Sequence, residues 1–347
     1  MALGNNAKVA FIGTGIMGAP IAGHIMDAGY DVTVYNRTKS KADDLVERGA
    51  HWADDVASAV AGADVVFTML GYPTDVEDVY LSTNGILRSS KKGAFLIDLT
   101  TSSPDLARDI HGAAEVDDRH AFDCPVTGGE EGAKAGTLTL FVGATPKEAE
   151  PVLPLLQCFS SKITYFDQAG AGQTVKLCNQ VSLASCMMGY AEAMALAEAS
   201  GVDVARMLEA VSSGMGGSVA LTRLAPKSLE GDYRPGFLSE HLLKDVTLSL
   251  DAADELGIGM PSTATAENLY KLLCQVGGAR LGTQAISLLY APAEVGEKAG
   301  LDWSKAKVED EGDSDGCCGG HGDGCCGGHG DGEGHECHCH HHDGGDE

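Results

Sequence analysis

The chain has 347 residues, 44% of them hydrophobic and only 5% aromatic, with a formal net charge of −26. That length suits two domains with sizeable cores, and that charge argues against nucleic acid or an anionic membrane as a partner. Nearly half of the charge sits in residues 308–347, which hold 12 acidic residues and no Lys or Arg. The first residues lack the basic, apolar and small-residue succession of a signal peptide. The charge-free run over residues 177–191 is too short and too polar to cross a bilayer. A cytoplasmic location is expected. Cys124, Cys158, Cys178, Cys186 and Cys274 show no CxxC spacing and read as small buried hydrophobes in a reducing compartment.

In chain order, short runs rich in Val, Ile, Leu and Phe predict strands over 9–12, 32–35, 65–70, 95–99, 121–122 and 138–142. Amphipathic stretches over 19–28 and 40–48 predict helices, with Gly29 and Gly49 placed to end them. Alternating strand and helix implies a parallel sheet with helices on both faces. After about residue 167 the apolar spacing turns helical. One long helix is expected over 172–200, ended by Gly201, with further helices over 203–212, 238–256, 263–276 and 285–300. The fold class is therefore α/β, with an N-terminal Rossmann domain over 7–167 and a long interdomain helix. An all-α domain over 168–303 and a disordered tail over 304–347 complete it. In the tail the segment GCCGGHGDG at 316–324 recurs in part at 324–332. So little apolar surface cannot offset the entropy of ordering.

Strand 9–12 leads into Gly13-Thr14-Gly15-Ile16-Met17-Gly18, and a helix follows at once. In that context G-x-G-x-x-G is a dinucleotide cradle. Gly13 permits the tight turn, Gly15 admits a pyrophosphate to the backbone and Gly18 lets helix pack on strand. The helix N-terminus, with Ile16 and Met17 leading into it, offers free N–H groups and a positive dipole end. The ribose-reading position after the second strand holds Asn36-Arg37-Thr38, with no acid to bind a 2′-hydroxyl. Arg37 suits adenine stacking and a 2′-phosphate, so NADP(H) is expected to be favoured over NAD(H).

Further motifs follow in order: Asp123-Cys124-Pro125-Val126-Thr127-Gly128-Gly129, then Gly170 through Gln180 (GAGQTVKLCNQ), then His241-Leu242-Leu243-Lys244-Asp245. In this order and spacing, residues 7–303 resemble the β-hydroxyacid dehydrogenase family, which includes 3-hydroxyisobutyrate dehydrogenases and tartronate semialdehyde reductases. The resemblance implies a small hydroxy acid or semialdehyde substrate and assembly as a homodimer or homotetramer. It implies that Lys176 is the catalytic lysine and that Thr127, Gly128 and Gly129 hold the substrate carboxylate. Leu70 and Thr101 would line the cofactor, and Lys244 would lie near the nicotinamide. Thr127 stands where the family often has Ser, and Gln180 where many members have Asn.

The residue types suit that chemistry. A lysine takes a proton from an alcohol only when burial or a nearby cation lowers its pKa. Lys176 opens an otherwise uncharged, apolar helix, so it is either functional or turned out to solvent. Gly128 and Gly129 offer unobstructed backbone N–H groups, although a plain turn would also use them. Asn179 and Gln180 lie one turn beyond Lys176, to orient it or the substrate, or simply to pack between domains.

The tail is a separate matter. Cys317, Cys318, His321, Cys325, Cys326, His329, Cys337 and Cys339 supply thiolates and imidazoles suited to Zn, Ni or Cu, in no fixed finger spacing. Two readings compete with the dehydrogenase. One is an imine reductase, whose family usually lacks a lysine at the position of Lys176. The other is a metal-binding protein on a retired dehydrogenase scaffold, against which Lys176 and Lys244 both count.

Overall fold

The computed structural model describes residues 3–306 apart from Asn5. Strands β1 (Lys8–Ile12), β2 (Asp31–Tyr35), β3 (His51–Trp52), β4 (Val65–Thr68), β5 (Phe95–Asp98) and β6 (His120–Asp123) form one sheet in the order β3-β2-β1-β4-β5-β6. Every neighbouring pair is parallel. The order reverses between β1 and β4, and such a switch opens a crevice at the carboxyl ends of the strands.

Side chains of β1 alternate between two cores. Val9 and Phe11 join Ile21 and Ile25 of the helix Gly18–Asp27 on one face. Ala10 and Ile12 meet Val60, Val76, Tyr80 and Ile110 on the other. Each large side chain so buried contributes about 1.5–3 kcal/mol. With apolar residues at both parities, β1 reads as an unbroken hydrophobic run, as a strand covered by helices on both sides should. The expected helix ends also hold, since Gly29 and Gly49 take φ of +91° and +110°.

A second sheet holds β7 (Val126–Thr127), β8 (Leu138–Val142) and β9 (Ser160–Tyr165), with β7 antiparallel and β9 parallel to β8. The strand expected at 138–142 therefore exists, but it is the centre of this small mixed sheet.

The helix Ala171–Ala199 then runs for 29 residues. The helices Val204–Ser212, Val219–Leu229, Ser239–Glu255 and Pro261–Gln275 complete the all-α half. Met187, Tyr190, Leu242, Tyr270 and Ile286 lie in its core. The single helix expected over 285–300 is broken. A 3₁₀ stretch, Thr283–Tyr290, stops at Ala291 with ψ of 162°, and a short helix Ala293–Lys298 follows. Pro292 is the cause, because its ring pushes the preceding residue out of the helical region. Of the five cysteines expected to be buried, Cys124 is; Cys158, Cys186 and Cys274 are only half-buried, and Cys178 is exposed.

Among the described residues no helix is long and apolar enough to cross a membrane. The tail residues Cys317, Cys318, His321, Cys325, Cys326, His329, Cys337 and Cys339 lie outside the described residues. Within the described residues no cluster of three or more His, Cys, Asp or Glu is poised to hold a metal.

Candidate active site

The glycine loop closes tightly at its ends and stands open in the middle. A Cβ on Gly13 would sit 2.3 Å from the Met69 carbonyl oxygen, and one on Gly18 would sit 1.9 Å from that of Gly13. A Cβ on Gly15 would meet nothing within 4 Å. Gly13 and Gly18 are thus required by the protein itself, and at Gly15 the backbone is open to the approach of a ligand's phosphates. The helix Gly18–Asp27 that follows has no side-chain cap and no acidic residue in its first turn. The N–H groups of Gly15, Ile16, Met17 and Gly18, which donate to no backbone carbonyl among the described residues, and the positive end of the helix are left for an anion. The Thr14 hydroxyl is buried beside them without a partner. Ile16 is exposed and Met17 half-buried. These features fit a nicotinamide dinucleotide.

At the ribose-reading position the three residues separate. The Asn36 side chain is spent on bracing: it accepts from the Thr14 N–H at 3.0 Å and donates to the Thr38 carbonyl at 2.8 Å. Thr38 is exposed. The Arg37 side chain is 87% exposed and reaches Asp75 at 3.3 Å. Such an exposed pair contributes little to stability, so the guanidinium is available to a phosphate.

The far end of the site is built from buried charge. Lys176 has only 7% of its surface exposed. Burial lowers its pKa to about 8, with Asp245 opposing the shift and Lys244 reinforcing it. Its ammonium donates to Gln180 Oε1 at 3.0 Å, and Asn179 Nδ2 donates to the same oxygen at 2.8 Å. Gln180 Nε2 in turn donates to Asp245 Oδ2 at 2.5 Å. Asp245 Oδ1 lies 3.1 Å from Lys244 Nζ, an ion-pair contact without hydrogen-bond alignment. Lys244 Nζ donates to the Thr101 carbonyl at 2.7 Å. The Leu70 N–H donates to Thr100 Oγ1 at 2.9 Å, and the Leu70 side chain lies against Gly13. Contacts therefore run unbroken from the glycine loop through Leu70 and Thr101 to Lys244, Asp245, Gln180 and Lys176.

Thr127, Gly128 and Gly129 leave β7 toward a short helix, Gly129–Ala135. Both glycines take positive φ, +134° and +64°, and both are exposed, while Thr127 is half-buried. No other residue type adopts the Gly128 conformation without strain. A Cβ on Gly129 would face the Gly236 carbonyl at 3.9 Å, just ahead of the helix Ser239–Glu255 that carries Lys244 and Asp245.

Two further residues serve the site; the sequence motifs contain both, Asp123 and Gln173, but assign neither a role. Asp123, at the end of β6, accepts from the N–H groups of Gly170 and Gln173, both at 2.7 Å, and so caps the long helix from the sheet. Gly143 and Gly172 make room for it, since a Cβ at either would lie under 3 Å from its carboxylate. The Gln173 side chain is fully buried between the long helix and the stretch Thr100–Ser102. No local pattern gives away the role of either one, because their partners lie 47 to 73 residues away.

A turn closed by two glycines and left open by a third, in contact through Leu70 and Thr101 with a buried lysine, defines a two-domain oxidoreductase that works with a nicotinamide cofactor. Comparison with known proteins agrees. Residues 8–167 match the family model described as the NAD binding domain of 6-phosphogluconate dehydrogenase. Residues 170–290 match that described as NAD-binding of NADP-dependent 3-hydroxyisobutyrate dehydrogenase. A probable mitochondrial 3-hydroxyisobutyrate dehydrogenase-like protein of Arabidopsis thaliana is 41% identical over 288 residues, 82% of this chain and 85% of that protein. The structure of Mycobacterium tuberculosis 3-hydroxyisobutyrate dehydrogenase with L-serine superposes with a TM-score of 0.76 at 30% identity, over 83% of this chain and all of that one. An imine reductase from Pseudomonas sp. has a TM-score of 0.54 at 18% identity, over 81% of this chain and 98% of that one, a likeness of fold alone. The chain belongs to the β-hydroxyacid dehydrogenase family, in its 3-hydroxyisobutyrate dehydrogenase branch.

Proposed function

We propose that this protein interconverts a small 3-hydroxy acid and its 3-oxo acid or semialdehyde, with Lys176 as the general acid and base. The observation that carries the reading is the burial of Lys176 with its pKa lowered to about 8. A group titrating there serves as base in one direction and acid in the other. Gly13, Gly15 and Gly18 would hold the dinucleotide, which would supply the hydride acceptor or donor. Neutral Lys176 takes the hydroxyl proton during oxidation, and charged Lys176 returns it to the forming alkoxide during reduction. Gln180, braced by Asn179 and Asp245, holds the Lys176 ammonium in one position. Thr127 and the N–H groups of Gly128 and Gly129 hold the substrate carboxylate. Lys244 steadies the Thr101 stretch, which would line the nicotinamide.

The buried lysine also counts against an imine reductase, and against a scaffold retired from catalysis. NADP(H) is the favoured cofactor, because Arg37 is exposed and residues 36–38 at the ribose position hold no acid to bind a 2′-hydroxyl; a 2′-phosphate would take the guanidinium over from its exposed contact with Asp75. A homodimer or homotetramer is the expected assembly, and light scattering on the purified protein reads it directly. The Cys- and His-rich tail is expected to take up Zn, Ni or Cu; a tail peptide that binds none of them at micromolar concentration ends that idea.

The test of the enzyme reading is oxidation of NADPH and NADH against tartronate, methylmalonate and succinate semialdehydes. Turnover that vanishes in Lys176→Ala, with cofactor binding retained, is the expected result. Turnover that survives the substitution removes Lys176 from the chemistry.

A further inference from the structure

The carboxamide of Gln173 brackets a single residue of the cofactor-facing loop. Its Nε2 donates to the Thr100 carbonyl at 2.7 Å, and its Oε1 accepts from the Ser102 N–H at 2.9 Å. Between those two contacts lies Thr101, whose carbonyl takes the Lys244 ammonium at 2.7 Å. Gln173 is 0% exposed, and its own backbone N–H is held by Asp123 at 2.7 Å. The side chain has no freedom to let the loop slide. It sits three residues before Lys176, so both lie on one face of the long helix. The loop is fixed from its other side as well: Asp98 accepts from the Thr100 N–H at 3.1 Å and from Thr68 Oγ1 at 2.7 Å.

We propose that Gln173 is a positioning residue that sets the register between the helix bearing Lys176 and the Thr100–Ser102 loop, and through that loop the place of Lys244. The inference rests on the reading of Lys176 as the proton-transferring group. Each end of the amide is matched to its partner, a donor to a carbonyl and an acceptor to an N–H. An apolar side chain of the same size would leave both Thr100 O and Ser102 N unpaired and buried, and they would move to find partners. A displacement of about 1 Å at reacting groups costs on the order of 100-fold in rate. Most of the cofactor affinity comes from the glycine loop, which Gln173 does not touch, so a shift at Thr101 costs much less in binding than in rate.

The closing experiment compares Gln173→Leu and Gln173→Glu with the parent protein across pH. Gln173→Leu is expected to lower kcat about 100-fold at every pH, with the dissociation constant for NADPH changed less than about threefold. Gln173→Glu reproduces the amide's bonding only while its carboxyl is protonated, with the O–H donating to Thr100 O. The carboxylates of Asp98 and Asp123 at the strand ends and the burial of the site hold that proton on. Lys176 on the same helix, and Lys244 across the loop, pull the other way. The ratio of its kcat to the parent's is therefore expected to rise as pH falls, and this ratio decides the matter if Gln173→Leu fails to fold. A pH-independent ratio, or a Gln173→Leu enzyme within twofold of the parent, overturns the proposal. Amide hydrogen exchange at Ser102 reads the clamp without any turnover. Faster exchange in Gln173→Leu alongside an inactive parent protein would refute the enzyme reading and leave the clamp standing. Unchanged exchange refutes the clamp itself.

Discussion

Between Gly13 and Gly18 the chain offers a ligand bare backbone; at Lys176 it offers a charge buried at 7% exposure and held through Gln180, Asn179 and Asp245. The first arrangement works by leaving space, and its strength lies in what is missing. The second works by filling space with polar groups that must satisfy one another. Geometry alone governs the first, so it should be indifferent to pH and intolerant of any added atom. Protons govern the second, so it should follow pH closely and cost the fold some stability.

The largest expected effect breaks the second half and spares the first. Lys176→Met should lower kcat on the order of 1,000-fold while the NADPH dissociation constant holds, measured by steady-state kinetics and cofactor fluorescence. The same change should raise thermal stability below pH 8. In the folded state Lys176 gives up its proton near 8, against 10.5 for a free lysine, so the parent binds fewer protons folded than unfolded between those values. Its stability therefore rises with pH across that window. Below it, the buried charge costs at most about 3 kcal/mol, which Met does not incur. Calorimetry at pH 7 and pH 10 checks this: the gain should shrink at the higher pH.

Next in size, the three glycines should fail in different ways. Gly18→Ala and Gly13→Ala place a methyl against a backbone carbonyl and should destabilise the fold by about 3 kcal/mol or more. Gly15→Ala has open space in the protein and should leave the melting temperature within about 1 °C, yet weaken the cofactor about 100-fold. Equal losses of stability at all three positions would contradict the division between closed ends and an open middle.

A pH series then separates the halves without mutation. The rate of carbonyl reduction should be flat below about 8 and fall about tenfold per unit above it, as Lys176 loses its proton. Cofactor affinity should stay flat over the same range. The smallest effect concerns Arg37, 87% exposed and screened by solvent. Arg37→Ala should reduce the preference for NADPH over NADH by about tenfold or less.

The backbone half was the more legible from sequence, and the reason is locality. Gly13, Gly15 and Gly18 sit between a strand and a helix, and all their constraints lie within a few residues or on the next strand. Lys176 and Gln180 were legible through their spacing on one helix. What holds them was not, because Asp245 meets Gln180 across 65 residues and Gln173 meets Thr100 across 73. The same limit explains why the strand Leu138–Val142, present where expected, could not be assigned to a second sheet. Its apolar pattern is that of any core strand, and its antiparallel neighbour Val126–Thr127 is only two residues long. The helix Val219–Leu229 escaped notice because Pro226 lies inside it and a Gly-rich run precedes it, although Ser218 caps its start by accepting from the Leu221 N–H. Pro292 is the opposite case, a local signal that outweighed helical spacing on either side of it.

The cap that Asp123 places on the long helix also has a consequence for synthesis. The strand that ends in Asp123 leaves the ribosome before the helix it must cap, and the first turn of that helix begins at Gly170–Ala171. Translation of the remaining helical half takes roughly 10 s or more. Until it packs, the carboxylate of Asp123, the carbonyl of Thr100 and the N–H of Ser102 are hydrated at the rim of the sheet. A nascent sheet half therefore presents water-loving groups at the very edge that later becomes interior. It can wait for its partner without exposing a sticky surface there, and the docking of one helix turn dries all three groups together.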